Sequence, residues 1–364
     1  MPQTRQGPGT PDTLPARRPA GNGWDAGCFG PDAGHALSMD ALADPLRALR
    51  FSGGIFLESI YRAPWCVRSH LVPADFGLGV QPGARLVAFH YVLEGSMLVR
   101  ADGESLQRAG PGSIIVLSRN DPHLLGSDVA MPPIDARPLI RQAEDAVVPR
   151  LEFGEGRQVK SRFVCGFLAT ATHDHPLLAA LPVLLVADLS GRPCAEWAAT
   201  SFRYAAREHA TRPRRPDSQE ILARLSEMLF VEAVRGYLDA LPGTATGWLA
   251  ALRDPSLSRA LTALHLRPAQ AWTTEALARE AHLSRSAFAE RFTSAVGLPP
   301  MSYLTRWRML LAGRRLRESS DTLAQVAVAV GYESEFTFSR AFARETGVTP
   351  GVWRKGGQSR SGLK

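Results

Sequence analysis

Three side chains in the first third of the sequence, His90, Glu94 and His123, are of the types that bind transition metals. Imidazole and carboxylate ligands suit zinc, iron, nickel or manganese, and Cys165 or His70 could supply a further ligand. The same side chains would also serve as the polar wall of a small-molecule pocket. The residue types therefore predict a metal or effector site and leave open which of the two it is.

Two cysteines, Cys66 and Cys165, are candidates for redox sensing. A reactive thiol needs a lowered pKa and access to solvent, and Cys66 has Arg68 close by in sequence. Cys165 lies in an apolar run, which favours a buried and inert thiol. None of the four cysteines forms a C-x-x-C pair and no apolar signal segment opens the chain, so reduced thiols and a cytoplasmic location are expected.

A second set of residues recurs near the C-terminus with a shift of fifty positions. The serines of this repeat stand where an N-cap accepts a free backbone N–H, the phenylalanines at i and i+4 mark a buried helix face, and the glycines suit helix C-caps. Each copy also begins with a short helix and a turn, so the repeat predicts two helix-turn-helix units. The matched pairs are Ser284 and Ser334, Phe288 and Phe338, Phe292 and Phe342, Gly297 and Gly347, and Pro300 and Pro350.

The outward positions of the two second helices follow from the inward phenylalanines, and we expect them to contact DNA bases. They are Ser286, Ala289 and Glu290 in the first unit and Glu335, Phe336, Ser339 and Arg340 in the second. As the only long cation on its outward face, Arg340 is predicted to read guanine. Arg285 and Arg306 are assigned to the DNA backbone. A helix over about residues 301–318 joins the units and could space them by one DNA turn, roughly 34 Å.

The last hundred residues contain runs that are typical of one protein family. Residues 330–342 read VGYESEFTFSRAF, residues 347–350 read GVTP, and residues 300–309 read PMSYLTRWRM. These runs resemble the signature and the central helix of AraC/XylS-type transcriptional regulators. The resemblance implies a sequence-specific regulator that binds double-stranded promoter DNA, contacts RNA polymerase, responds to a small-molecule or redox effector and pairs as a homodimer.

The N-terminal half alternates short apolar runs with turn residues, at 53–58, 86–93, 96–100, 113–117 and 162–168. Many short strands at this spacing predict a β-barrel or jelly roll. With the C-terminal repeat, the expected fold class is α+β with two domains. The N-terminal domain is a barrel or jelly roll, and the C-terminal domain is all-α with two helix-turn-helix units.

Two stretches of this half are similar to cupin motifs. Gly112-x5-Ser118-x-Asn120-x2-His123 keeps the spacing of the second motif, and His90-x3-Glu94 keeps the end of the first, but Ala88 stands where the first motif has a further histidine. The resemblance implies a cupin-like sensor domain. Because one ligand is missing, we expect no catalytic metal, no other cofactor and no enzyme activity. The alternative is a cupin metalloenzyme with a DNA-binding tail.

The region between the two halves is predicted to be helical, with its longest helix over residues 217–241. An apolar stripe on this helix is either internal core or a subunit contact, and the family resemblance favours a dimer. The stripe contains Ile221, Leu225, Met228 and Leu229.

The charge distribution supports a polyanionic partner for the C-terminal domain. The chain has a net charge of +7, and residues 256–364 contain 16 Lys+Arg against 8 Asp+Glu, which is +8. No run of 18 apolar residues occurs, so no membrane span is expected. The predicted divisions are a disordered extension (1–38, with Met39 a candidate start), a sensor domain (39–190), a helical linker or dimerisation region (191–255), a DNA-binding domain (256–355) and a disordered tail (356–364).

Overall fold

The computed structural model of the chain describes residues 33–49, 51, 56–70, 84–138, 150–154, 161–170, 175–211 and 216–358. Most of its strands precede most of its helices, so the chain has a sheet-rich N-terminal domain and a helical C-terminal domain, as predicted. Within this described part, no helix is both long and apolar enough to cross a membrane.

The strands of the described part form two sheets that face each other. The large sheet has the order β11-β6-β3-β10-β1-β9 and the small one β5-β4-β7-β2-β8. Side chains from both sheets meet in one core, to which Val92, Val99 and Phe163 belong. The strands are β1 (Phe56–Tyr61), β2 (Cys66–Ser69), β3 (Arg85–Gly95), β4 (Met97–Ala101), β5 (Gln107–Ala109), β6 (Ser113–Leu117), β7 (His123–Gly126), β8 (Ile134–Asp135), β9 (Arg150–Phe153), β10 (Ser161–Thr170) and β11 (Leu184–Asp188).

The prediction of a closed barrel is wrong, whereas the two-layer arrangement of a jelly roll agrees with the structure. Among the described residues, β9 and β11 end the large sheet, β5 and β8 end the small one, and no strand pairing joins these edges. A closed barrel needs every strand paired on both sides. The sheets therefore form an open sandwich.

The helices of the described part cover one face of the large sheet and build the C-terminal domain. The longest linker helix, predicted over residues 217–241, is observed over Pro216–Ala240. The helices are α1 (Ala33–Ala48), α2 (Pro176–Ala180), α3 (Cys194–Thr211), α4 (Pro216–Ala240), α5 (Trp248–Arg253), α6 (Pro255–Leu266), α7 (Thr274–Glu280), α8 (Arg285–Val296), α9 (Pro300–Glu318), α10 (Leu323–Ala329), α11 (Glu335–Thr346) and α12 (Pro350–Gln358).

The apolar stripe of α4 is divided between the core and the surface. Leu229 is fully buried and belongs to the core that α4 shares with the large sheet. Leu225 is half-buried and Met228 is exposed, while the side chain of Ile221 lies outside the described residues. Helix α4 therefore contributes first to the core, and only the edge of its stripe remains open for another subunit.

Helix α1 packs against α6, which connects the N-terminus of the described chain to the C-terminal domain. Ala41 and Leu42 of α1 are completely buried in a core that also contains Leu261 of α6. The helix begins at Ala33, inside the predicted N-terminal extension. At the other end, α12 runs to Gln358, three residues beyond the predicted domain end at 355.

Candidate nucleic-acid interface and sensor pocket

Helices α8 and α11 are the second members of two similarly built helix pairs, α7–α8 and α10–α11. The hydroxyl of Ser284 accepts from the N–H of Ala287 at 3.3 Å, and that of Ser334 accepts from Thr337 at 3.1 Å. Both helices end at a glycine in the left-handed region, Gly297 with φ 78° and Gly347 with φ 76°. These caps stop the two helices at equivalent positions of the repeat.

The buried faces of both helices are those that the phenylalanine spacing predicts. Phe288 and Phe292 of α8, and Phe338 and Phe342 of α11, are each fully buried. A helix whose i and i+4 residues are buried presents the opposite side to solvent. This orientation leaves one open face on each helix for a partner.

The open face of α8 contains the residues that the sequence nominates for DNA contacts. Arg285, Ser286 and Glu290 are exposed and Ala289 is half-buried. Arg291, on the flank of this face, is engaged in an ion pair of 2.5 Å with Asp254, the N-cap of α6.

The open face of α11 is more apolar and also basic. Glu335, Phe336 and Arg340 are exposed, and Ser339 is half-buried. The Phe336 side chain has 71% of its surface accessible, and the Arg340 guanidinium lies 5.7 Å from the centre of its ring. Such a distance is within the range of a cation–π contact.

Arg308 on α9 couples the two helix pairs, a role that sequence reasoning missed. Its guanidinium donates to the backbone carbonyls of Pro268 and Gln270, both at 2.8 Å, in the segment before the first pair. It also lies over the ring of Tyr332, in the turn of the second pair. The only sequence signal is a basic residue in a helix that is otherwise apolar on that side, and such a signal does not name its partners.

Arg306, which is assigned to DNA phosphate from the sequence, lies on α9 and outside the open faces of α8 and α11. Its side chain is exposed and stands 3.7 Å from the carboxylate of Glu345. Glu345 is one turn beyond Ala341 and Phe342, on the side of α11 that is turned away from Phe336 and Arg340. Arg306 lines a cleft of about 1250 Å³ between the C-terminal domain and residues such as Arg85 and Pro176 of the N-terminal domain. The assignment of Arg306 to DNA phosphate stays a prediction.

In the N-terminal domain, His90, His123 and Cys165 form a chain of polar contacts between the sheets. Nδ1 of His123 is 2.9 Å from the carbonyl of Asp121, Nε2 of His123 is 2.9 Å from Nε2 of His90, and Nδ1 of His90 is 3.0 Å from Sγ of Cys165. Burial lowers the pKa of His123 to about 4 and holds the pKa of His90 well below its usual range. Both imidazoles are therefore neutral at pH 7.

The donor and acceptor of each hydrogen bond in this series follow from the Asp121 carbonyl at one end of it. A carbonyl can only accept, so Nδ1 of His123 donates to Asp121 and its Nε2 must accept. Nε2 of His90 then donates to His123, and its Nδ1 accepts from the thiol of Cys165. All three side chains are satisfied without any charge. The cluster is therefore a neutral, internally bonded part of the core between the sheets.

Glu94 is not part of this cluster, and the prediction that it shares a site with both histidines is wrong. In a regular strand His90 and Glu94 would share a face. The pairing of β3 with β10 shifts by one residue between Val92 and Glu94, and this bulge turns Glu94 to the opposite face. Its carboxylate instead accepts from Arg162 at 3.2 Å, close to solvent.

These observations do not fit the metal centre of an ordinary cupin. Ala88 lacks a donor, Glu94 points away, and the facing nitrogens of His90 and His123 bond to each other. Among the described residues, no group of three or more His, Cys, Asp and Glu side chains is arranged to hold a metal ion.

The two candidate redox cysteines lie in environments that favour the protonated thiol. Burial raises the pKa of Cys165 to about 12. Cys66 is buried in β2, and burial followed by the nearby Asp128 carboxylate raises its pKa as well. Neither site has the lowered pKa that activates a sensor thiol.

Comparisons with known proteins match both halves of the chain. The cupin family profile covers residues 40–239 and a helix-turn-helix domain profile covers residues 277–356. A putative AraC-like transcription regulator from Streptomyces lividans is 35% identical over 323 residues, which is 87% of this chain and 98% of the relative. The chain belongs to the AraC-like family of transcription regulators.

Two further similarities complete the description of this AraC-like chain. The HTH-type transcriptional regulator AlkR from Acinetobacter baylyi is 31% identical, with 87% of this chain and 99% of the relative covered. The crystal structure of the DNA-binding domain of AdpA in complex with a target DNA is 31% identical over 30% of this chain and 99% of that chain, with a TM-score of 0.29.

Proposed function

We propose that this AraC-like regulator binds promoter DNA through two helix-turn-helix units, with α8 and α11 as the recognition helices. The observation that carries the proposal is the pair of capped helices, each with a buried phenylalanine face and an open face of DNA-contacting residue types. Helix α9 has 19 residues and spans roughly 28 Å, which suits recognition helices in successive major grooves about one DNA turn apart.

The contacts of Arg308 support a fixed spacing between the two units. Because one guanidinium bonds to the segment before the first pair and stacks on the turn of the second, the two recognition helices are held at a defined separation. A defined separation is what recognition of one particular DNA sequence requires, whereas binding without sequence preference does not. The excess of positive charge in residues 256–364, 16 Lys+Arg against 8 Asp+Glu, supports attraction to the phosphate backbone.

The sandwich domain is proposed to bind the effector that controls this activity. The match of residues 40–239 to the cupin family profile supports this role. One continuous core contains side chains of the large sheet, α1, α6 and α8, and it supplies a physical connection to the first recognition helix. The enzyme alternative is disfavoured by the geometry of Glu94.

Partner proteins are also part of the proposal. Met228 on α4, and Trp197 and Tyr204 on α3, are large apolar side chains exposed on two helices that pack together, and they support a contact with a second copy of the chain. A dimer would place two DNA-binding domains on paired half-sites and gain affinity through effective concentration. RNA polymerase is the further partner expected of a regulator at a promoter.

Mapping of the genomic sites occupied by the full chain, followed by binding measurements in vitro, tests the proposal. We expect the duplex from an occupied site to bind about 1,000-fold or more tightly than a shuffled duplex of the same composition. Arg340→Ala should relax preference at one base pair of the site. Equal affinity for the genomic and the shuffled duplex would show that the chain binds DNA without sequence preference and would overturn the proposal.

A further inference from the structure

Phe336 is a large apolar side chain that the folded domain leaves exposed to solvent. With 71% of its surface accessible it is more exposed than any other large apolar side chain in the described part of the chain. It lies on the first turn of α11, immediately after the Ser334 cap, and the core of this helix pair is already filled by Phe338 and Phe342. Its position therefore indicates contact with a partner rather than a contribution to folding.

Arg340 follows Phe336 by one helical turn and is oriented by it. The guanidinium lies 5.7 Å from the ring centre, and within the described residues no carboxylate forms an ion pair with Arg340. A cation stacked beside an aromatic ring keeps its outward N–H groups free to donate. The two side chains thus lie side by side, with an apolar phenyl ring next to a guanidinium that can donate two hydrogen bonds.

We propose that Phe336 is a specificity-determining residue that contacts the C5-methyl group of a thymine, while Arg340 donates to a guanine close to it. This inference rests on the proposed function, because it requires α11 to enter the major groove. In that groove thymine alone offers a methyl group, whereas guanine offers the O6 and N7 acceptors that suit arginine. Cytosine has only a hydrogen on C5 and loses the methyl contact, whereas a purine would place polar groups against the phenyl ring and leave them without a hydrogen-bond partner.

The helix geometry limits how far apart the two bases lie. Residues four apart on a helix are separated by roughly 6 Å along its axis, and stacked base pairs by about 3.4 Å. The thymine and the guanine are therefore expected within two base pairs of each other. Helix α8 has Ser286 and Glu290 at the positions equivalent to Phe336 and Arg340, so its half of the operator need not contain this combination.

The first step of the test is selection of binding sites from a random duplex pool with the full chain. We expect an enriched motif that contains a thymine within two base pairs of a guanine. The second step replaces each thymine of that motif in turn with uracil, which removes only the methyl group. At one thymine this change should weaken binding about fourfold, the effect of one buried methyl group. Replacement of the nearby guanine by 7-deazaguanine should weaken binding about tenfold.

The variant Phe336→Ala should bind the thymine and uracil duplexes equally well, and Phe336→Leu should retain part of the preference. Val328→Ala on α10 is the matched control, since Val328 is also an exposed apolar residue, with 66% of its surface accessible. It should show the full fourfold effect. Because both side chains lie at the surface, loss of folding is not expected, and circular dichroism checks this.

The outcomes separate the inference from the proposed function. If the wild-type chain enriches no motif, sequence-specific binding fails and the inference fails with it. If a motif is enriched but uracil is tolerated at every thymine, the proposed function stands and the role of Phe336 is wrong. A uracil effect that persists undiminished in Phe336→Ala would assign the methyl contact to another residue and also overturn the inference.

Discussion

The two helix pairs are similar in sequence but belong to different hydrophobic cores. Phe288 and Phe292 of the first pair lie in a core that also contains side chains of α1, α6 and the large sheet of the sandwich. Phe338 and Phe342 of the second pair lie in a separate, smaller core with Met309 of α9. The two units therefore have the same internal packing, but the first shares its core with the N-terminal sandwich.

One pair of equivalent positions shows this difference at the level of single bonds. Tyr303 and Trp353 are fifty residues apart and each follows a proline that starts a helix. The hydroxyl of Tyr303 accepts from Nε1–H of Trp248 at 3.0 Å and lies 2.7 Å from Nε2 of His265, both outside the pair. Nε1–H of Trp353 donates to the carbonyl of Gly313 on α9. Tyr303 packs on Phe292 of the first pair and so connects that pair to α5 and α6, whereas Trp353 packs on Phe342 of the second pair and connects it to α9.

The largest expected effect on stability comes from replacing one buried phenylalanine in each of the two cores. Replacement of a buried phenylalanine by alanine costs about 3–5 kcal/mol of unfolding free energy. In Phe342→Ala we expect faster hydrogen exchange in α10 to α12 and unchanged exchange in the strands. In Phe292→Ala the faster exchange should extend to α1 and α6. Mass-resolved hydrogen exchange on the full chain measures both, and identical exchange patterns in the two variants would contradict the separation of the cores.

The second largest effect is the loss of stability in acid, which should differ between the two units. Burial, followed by the neighbouring His265 imidazole, lowers the pKa of His175 to about 3, and burial lowers that of His265 to about 3. Below about pH 6.5 these two histidines take up protons in the unfolded chain but stay neutral in the folded chain. The free energy of unfolding therefore falls between about pH 6.5 and 3. At pH 5 each histidine should cost about 2 kcal/mol.

His282 is the last histidine of the sequence and precedes the second unit, so the second unit contains no histidine and should not lose stability in this way. Hydrogen exchange at pH 7 and pH 5, corrected for the intrinsic rate, compares the two regions. His265→Gln is the control variant, and it should lose about 2 kcal/mol less than the wild type on acidification. An equal loss of protection in α10 to α12 would mean that other groups control the acid response.

The hydrogen bonds of Tyr303 and Trp353 sharpen the comparison at smaller cost. Tyr303→Phe leaves Nε1–H of Trp248 buried without an acceptor, so we expect a loss of about 1–3 kcal/mol of unfolding free energy. Trp353→Phe removes one hydrogen bond beside α9 and should cost about 1 kcal/mol from that bond. Only Tyr303→Phe should change hydrogen exchange in α5 and α6. Denaturant titration with site-resolved exchange decides whether this is so.

The smallest effect concerns phosphate contacts. Arg285 is on the open face of α8, whereas Arg306 is on the cleft side near Glu345. We expect Arg285→Ala to reduce the slope of log affinity against log salt by about one, with no change in base preference. Arg306→Ala should leave the slope unchanged. The result would be reversed if Arg306 contacts DNA and Arg285 does not, and binding at four salt concentrations measures both slopes.

The predictions from sequence that agree with the structure concern short-range features. Ser284 and Ser334 cap their helices, Gly297 and Gly347 end them, and the paired phenylalanines are buried. Each of these depends on residues no more than four positions apart, so one local pattern contains the whole cause. Their repetition after fifty residues also indicated the architecture of the C-terminal domain.

The predictions that failed depended on contacts between distant parts of the chain. A single extra residue in the pairing of β3 with β10 turned Glu94 away from His90, and the free edges of the sheets left the barrel open. Neither the register of two strands nor the closure of a sheet has a signature in the local alternation of residues. The contact of Cys165 with His90 likewise joins strands 75 positions apart.

The sequence alone determined the ends of α8 and α11, their inward and outward faces, and the concentration of positive charge near the C-terminus. These follow from backbone geometry and from counting side chains. Only the tertiary structure decided that Arg306 faces a cleft, that Arg308 couples the two pairs, and that the first pair shares its core with the sandwich. Those facts depend on which surfaces meet when the chain folds, and many partners would satisfy the same apolar or basic residue equally well.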